Sequence, residues 1–236
     1  MNNTTLQLKV RQRLNKLASN DFENIPCWAI VEAFNKGMVE WVRRNLHGNN
    51  LYKEGDEQST SRIDDFQRLI KTTPVLLMNN RQTFFETVNQ IPADYLRFKR
   101  VAAKATKECC KDPHNLVIYL GEEANVEELL RDKNKKPSFE FAETFATFES
   151  NKLQIYTNEE FDIEDVKLTY YRQPIRIEIN GCKDPYTGNI PTVDVECEFK
   201  DDQIELLIDE CCKIIAGDIE NILQVQREQQ AVDNNN

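Results

Sequence analysis

The chain has 236 residues, 40 of them acidic and 30 basic, for a formal net charge of −10. That balance argues against a protein that grips duplex nucleic acid through a broad cationic face. No apolar run approaches the roughly 20 residues needed to cross a bilayer, and residues 1–17 are too polar for a signal-peptide core, so a cytosolic chain without a membrane partner is expected.

In chain order, residues 4–17 have Leu6, Val10, Leu14 and Leu17 on one side and Lys9, Arg11, Arg13 and Lys16 around the rest, the pattern of a short helix whose basic face reads as solvated, with an acidic partner as the alternative. Ser19-Asn20-Asp21 breaks it. Pro26 then fits the first turn of a second helix, where its missing amide has no intrahelical acceptor. That helix, residues 25–46, carries Trp28, Ile30, Val31, Phe34, Met38, Trp41, Val42 and Leu46, a stripe wide enough to be covered on both sides. Gly37 inside it costs about 1 kcal/mol relative to Ala, which reads as a close approach of another backbone or as an accepted weakness. Residues 48–61 read as a polar loop, with Thr60 or Ser61 capping a short helix over 62–72.

The period then changes. Residues 75–78, 83–88, 95–105, 116–120, 138–148, 153–156, 166–171, 175–179 and 192–199 read as strands, interrupted by a helix at 124–132. Asn180-Gly181 and Pro185-Tyr186-Thr187-Gly188 are turn chemistry joining the last two strands. Residues 202–225 return to helical spacing, with Ile204, Leu207, Ile208, Cys211, Ile214, Ile215, Ile219, Ile222 and Leu223 at steps of three and four. Asp202 and Glu205 have the spacing of a capping box at its start. The fold class expected is α+β. Helices from both ends, residues 1–72 and 200–225, form a bundle with Phe34, Met38, Val42, Leu207, Cys211, Ile215 and Ile219 in its core. A large, mainly antiparallel β-rich insertion occupies 73–199, and residues 226–236 form a flexible, Gln- and Asn-rich tail that cannot offset its ordering entropy by burial.

Seven cysteines are odd in number and include two adjacent pairs, so a disulfide framework is not expected and the thiols read as small hydrophobes. Cys211 lies on the apolar stripe and Cys212 at its edge. Cys109, Cys110 and His114 lack the C-x₂-C spacing that lets two thiolates converge on zinc, so no metal site is expected. Glycine-rich phosphate loops, a G-x-S-x-G elbow and an H-E-x-x-H helix are all missing, and no catalytic residue or cofactor is assigned. Acidic pairs such as Glu122-Glu123, Glu127-Glu128 and Glu159-Glu160 read as solvated faces, although paired carboxylates leave a metal-dependent hydrolase as the alternative class. Tyr170-Tyr171-Arg172 combines residue types that interfaces use as anchors, and reads equally as an ordinary sheet segment beside a bulge at Pro174. Alternation points one tyrosine inward and one outward. Trp41, Arg43, Gln224, Gln226 and Gln229 complete the interface candidates.

The run Trp28-Ala29-Ile30-Val31-Glu32-Ala33-Phe34-Asn35 after Pro26 resembles the opening of head-to-tail connector (adaptor) proteins of tailed bacteriophages. The segments Pro137-Ser138-Phe139-Glu140-Phe141-Ala142-Glu143-Thr144-Phe145 and Leu168-Thr169-Tyr170-Tyr171-Arg172-Gln173-Pro174 are similar to virion ring proteins of crAss-like phages. So is Phe199-Lys200-Asp201-Asp202 leading into Ile215-Ala216-Gly217-Asp218-Ile219-Glu220. The resemblance implies a non-enzymatic ring protein of the phage neck, in a homo-oligomer of twelve copies. It also implies docking on the portal protein, which the small adaptors do through their C-terminal segment, here corresponding to Gln224–Asn236, and contacts with other neck and tail proteins. DNA would pass through the ring without sequence-specific binding. The protein would assemble in the host bacterial cytoplasm and reside in the virion.

Overall fold

A computed structural model describes residues 1–15, 25–47, 64–81, 83–107, 110–218 and 230. The expected break at 19–21, the loop at 48–61 with its cap, Cys109, and the tail with Gln224, Gln226 and Gln229 lie outside these residues, as does Ile219. The chain is mixed α+β and divides into two compact units. One comprises residues 1–68 and 174–236, the other residues 69–173.

The first unit contains α1 (Asn3–Leu14), α2 (Cys27–His47) and, after the second unit, the C-terminal helix. Asn2 caps α1 by accepting the Thr5 amide at 2.8 Å. Leu6, Val10 and Leu14 are fully buried, as the apolar spacing requires. The C-terminal helix begins at Lys200 rather than through an Asp202/Glu205 capping box. The Gln203 side chain reaches back to accept the Lys200 amide at 3.4 Å, the N3 half of such a box set two residues earlier. Glu205 is instead engaged by α1: Lys9 and Arg13 both bridge to it, and Arg13 also bridges to Asp209. The basic face of α1 thus meets an acidic partner inside its own chain. The close approach at Gly37 is also real, since a Cβ built there would stand 3.2 Å from Glu210 Cβ and 3.6 Å from the Cys211 amide nitrogen.

The second unit is an eight-stranded sheet in the order β1-β8-β4-β5-β6-β7-β3-β2. Its strands are β1 (Ile70–Pro74), β2 (Leu77–Arg81), β3 (Phe84–Thr87), β4 (Tyr95–Lys107), β5 (Cys110–Leu120), β6 (Glu143–Glu149), β7 (Lys152–Tyr156) and β8 (Asp162–Arg172). All neighbours are antiparallel except β5 and β6, whose parallel pairing requires a crossover, here through the short helix α3 (Val126–Arg131). β1 and β2 are the two edges of the sheet, yet only Val75 and Leu76 separate them in sequence, so the sheet curls until its edges converge. The concave side holds the core, with Val101, Ala103, Ala105, Leu116, Ile118, Leu153, Ile155, Leu168 and Tyr170 buried together. A cavity of about 450 Å³, floored by Leu153 and Leu168, remains at the converging edges. Ser150 and Asn151, both at positive φ, form the two-residue β6–β7 hairpin turn.

Several expectations give way here. The helix at 62–72 ends by Leu69, because Ile70, Lys71 and Thr72 pair with Tyr171, Tyr170 and Thr169 as an edge strand. The strand expected at 138–148 starts at Glu143; residues 138–142 turn so that Phe139 enters the core. The expected strands at 175–179 and 192–199 share only one bridge, Glu178 with Val195, and belong to the helical unit rather than to the sheet. The expected insertion boundary at 199 therefore falls at 173. A disulfide, Cys27–Cys182, replaces two of the thiols expected to be free.

The C-terminal helix, α4, spans Asp201–Asp218 and buries Ile204, Leu207, Ile208, Cys211, Cys212, Ile215 and Ala216. Cys211 Sγ lies 3.8 Å from Ile30 O on α2, and Cys212 Sγ 3.8 Å from Val10 O on α1. Cys212, expected at the edge of the stripe, is fully buried between the helices.

Candidate docking site

Residues 174–199 have strand-like composition but lack a sheet to join, so side chains of the first unit satisfy their backbone. Asn35, buried on α2, donates to Ile177 O (3.2 Å) and accepts the Ile177 amide (2.8 Å), as a neighbouring strand would. Asn3 on α1 donates to Glu178 O (2.8 Å) and Val195 O (3.2 Å). Asp194 accepts the Asn180 amide at 2.9 Å, and Glu198 accepts the Ile175 amide at 2.9 Å. The disulfide ties Cys182 to the first turn of α2.

Within this segment Asp184 organises a turn. Its carboxylate accepts the Thr187 hydroxyl and the Tyr186 amide, each at 2.8 Å, while its backbone carbonyl accepts the Gly188 amide at 2.9 Å. The Thr187 hydroxyl, then the Tyr186 amide, hold the Asp184 carboxyl below the usual aspartate range. Gly188 at φ +71° permits the reversal. The turn presents Tyr186 with 76% of its surface exposed, and Ile190 and Val193 beside it in sequence are also exposed. An aromatic on a hydrogen-bonded turn loses little entropy when a partner covers it.

Under Tyr186 lies a pocket of about 290 Å³ between the N-terminal half of α2 and residues 176–191. The Trp28 and Tyr186 rings meet edge to face at 6.3 Å. Glu32, one helical turn after Trp28, lines the pocket together with Glu178 and Asp184, against the single cation Arg176. The arrangement suits recognition of a side chain from another protein.

The structure places Phe34, Met38 and Val42 on α2 and Leu207, Cys211 and Ile215 on α4 out of solvent. Burial pushes the Cys211 thiol far up and that of Cys197 up to about 11, so neither is a ready nucleophile. Trp41, taken as an interface candidate, is instead a core residue: 5% exposed, it packs on Phe66 and Phe199 at 5.1 and 5.6 Å. Tyr170 is likewise corrected. Fully buried, it donates to Asp94 at 2.8 Å, and Asp94 is bridged by Lys71 at 2.7 Å. Tyr171 is half-buried, with Lys99 4.9 Å above its ring and donating to its hydroxyl at 3.2 Å. Arg172 donates to Gln173 O at 3.1 Å, and Arg43 is exposed on α2.

Among the described residues no His, Cys, Asp or Glu cluster is arranged to hold a metal ion, and no helix is long and apolar enough to cross a membrane. His114 stacks on Phe139 at 4.5 Å. The sequence reading missed Asn3, Asn35 and Asp184. Their only signal is a polar side chain in an apolar helix stripe, or an Asp at the head of Pro-Tyr-Thr-Gly. Comparison with known protein families finds no match, and comparison with curated proteins finds none.

Proposed function

We propose that this chain is a structural subunit of a head-to-tail connector ring in a tailed bacteriophage, docking on the portal and extending the DNA channel toward the tail. In this reading α1, α2 and α4 act as one helical bundle built from both ends of the chain, and the β unit is an insertion that meets other proteins. Twelve copies close the ring, and residues beyond Gln224 engage the portal. The observation that carries the reading is the pinned segment 174–199, which displays Tyr186, Ile190 and Val193 to solvent on a backbone locked by Asn3, Asn35 and a disulfide. Such a surface suits permanent contact better than turnover. The resemblance of the quoted segments to connector and ring proteins supports the same reading. The net charge of −10 fits a conduit along which a duplex slides, since phosphates are repelled rather than held.

Mass photometry after size exclusion, with and without purified portal, tests the proposal. Rings or portal-bound complexes are expected, and Tyr186→Ser should reduce their yield. A chain that remains monomeric and ignores the portal refutes it.

A further inference from the structure

We infer that the pocket between α2 and residues 176–191 is a receptor for an arginine side chain supplied by a partner protein. The inference deepens the docking reading and rests on it for the source of that arginine. The chemistry of the pocket selects the ligand. Two aromatic rings, Trp28 and Tyr186, meet edge to face, nearly perpendicular at 6.3 Å, so a planar cation lying on one ring face turns its own edge toward the face of the other. Three carboxylates, Glu32, Glu178 and Asp184, line the same space with one cation, Arg176. Asp184 is already engaged by Thr187 and the Tyr186 amide. Glu32 and Glu178 form no ion pair among the described residues and are exposed, which leaves two negative charges at the rim of an aromatic slot.

A guanidinium satisfies both features at once, stacking through its face and donating through its edge to carboxylates. The volume of about 290 Å³ is too small for a peptide segment and suits one long side chain. A partner with a basic surface is the source that fits, because the uncompensated carboxylates at the pocket attract it. The walls are fixed before binding. Asn35 locks Ile177, and the Cys27–Cys182 bridge ties the loop to α2 next to Trp28, so little ordering cost is left for complex formation.

The test uses the full chain and N-acetyl-Gly-Arg-Gly-amide as probe, followed by the indole N–H signals of its two tryptophans. Trp28 reports on the pocket, and Trp41, buried against Phe66 and Phe199, is the internal reference. A saturable shift of Trp28 alone is expected, with a dissociation constant on the order of millimolar for one isolated side chain. The charge-neutral citrulline peptide should leave Trp28 unmoved. Glu32→Gln combined with Glu178→Gln should weaken binding about tenfold or more, with an unchanged Trp41 signal showing that the fold is intact. Equal response to the citrulline peptide, equal movement of both indoles, or no saturable shift up to about 50 mM overturns the inference. The titration is run on the isolated chain, so failure here alongside intact ring assembly removes the arginine site alone. Binding by a chain that never assembles with portal removes the ring reading and leaves the site.

Discussion

Removing the Asn35 amide should detach residues 174–179 from α2 at a cost that the geometry sets. Its oxygen accepts the Ile177 amide at 2.8 Å and its nitrogen donates to Ile177 O at 3.2 Å, and Ile177 itself is fully buried. In Asn35→Ala both backbone groups of the buried Ile177 lose their side-chain partner, at about 1–3 kcal/mol each. Alanine returns about 0.5 kcal/mol or a little more in helix propensity. The net loss is about 2–5 kcal/mol, which at a urea slope of about 2 kcal/mol per molar lowers the midpoint by about 1–2.5 M. Both tryptophans lie in the helical unit, at positions 28 and 41, so tryptophan fluorescence follows that unit selectively. Asn35→Asp, which keeps the acceptor but loses the donor and buries a charge, should be at least as damaging. A midpoint within about 0.25 M of the parent, hence about 0.5 kcal/mol, would show that water replaces the amide and that the segment is held by other means.

Gly37→Ala should destabilise despite better helix propensity, by about 1–3 kcal/mol in urea titration. The new methyl would stand 3.2 Å from the Cβ of Glu210, whose side chain is 2% exposed and held by Arg44, so the neighbour has nowhere to go. Arg44→Met leaves that buried carboxylate unpaired and should cost about 3–5 kcal/mol, while Arg44→Met with Glu210→Met should recover most of it, as a double-mutant cycle will read. Asp94 is held below the usual aspartate range by Lys71 first and then by the Tyr170 hydroxyl. A depressed folded value means that its contribution is complete above the unfolded value near 4 and is lost as pH falls through the folded one. The melting difference between the parent and Asp94→Asn should therefore be constant at neutral pH and shrink only in acid, and a difference that vanishes already between pH 7 and 5 contradicts the assignment. Replacing Cys27 and Cys182 together by Ser opens a closure of 155 residues and should lower the stability of the helical unit by about 2–5 kcal/mol, with a matching loss when the parent is assayed in reductant.

Periodicity made the helices legible because each buries one continuous stripe: α1 and α2 lie within a few residues of where spacing puts them, and α4 starts within one, while the expected stretch 219–225 lies outside the described residues. Most strands were legible for the same reason, with Val101, Ala103 and Ala105 alternating inward along β4. The misreadings have one physical source. Local composition reports what a segment prefers and not which partner completes its hydrogen bonds. Ile70–Pro74 has no strong strand signal, yet β8 offers an edge and it pairs. Ile175–Ile179 and Thr192–Phe199 are strand-like, yet two asparagines and an aspartate take the place of a sheet. Tyr170 and Trp41 carried interface chemistry by residue type, and both are consumed by the interior, since type cannot tell a buried ring from a displayed one. The Cys27–Cys182 pairing was hidden by a separation of 155 residues and an odd cysteine count.

Net charge is equally blind to position, and here position decides its use. Within the helical unit the cations Lys9, Arg13 and Arg44 are committed to Glu205, Asp209 and Glu210, and the N-terminal ammonium to Asp201. Four of the acidic residues of α4 are thereby paired inside the fold, while Asp202 stays exposed at its first turn. Glu32 and Glu178 lack that compensation, and they sit beside the two rings, Trp28 and Tyr186, that a cation can stack on. A basic surface approaching this unit gains most at the α2 pocket, because negative charge and an aromatic slot coincide there. Reversing Glu32 to Lys should consequently weaken partner docking more than Asp202→Lys, a change of the same net charge on an exposed first-turn residue of α4. Equal losses from the two, compared at one ionic strength, would mean that overall charge and not the pocket governs recognition.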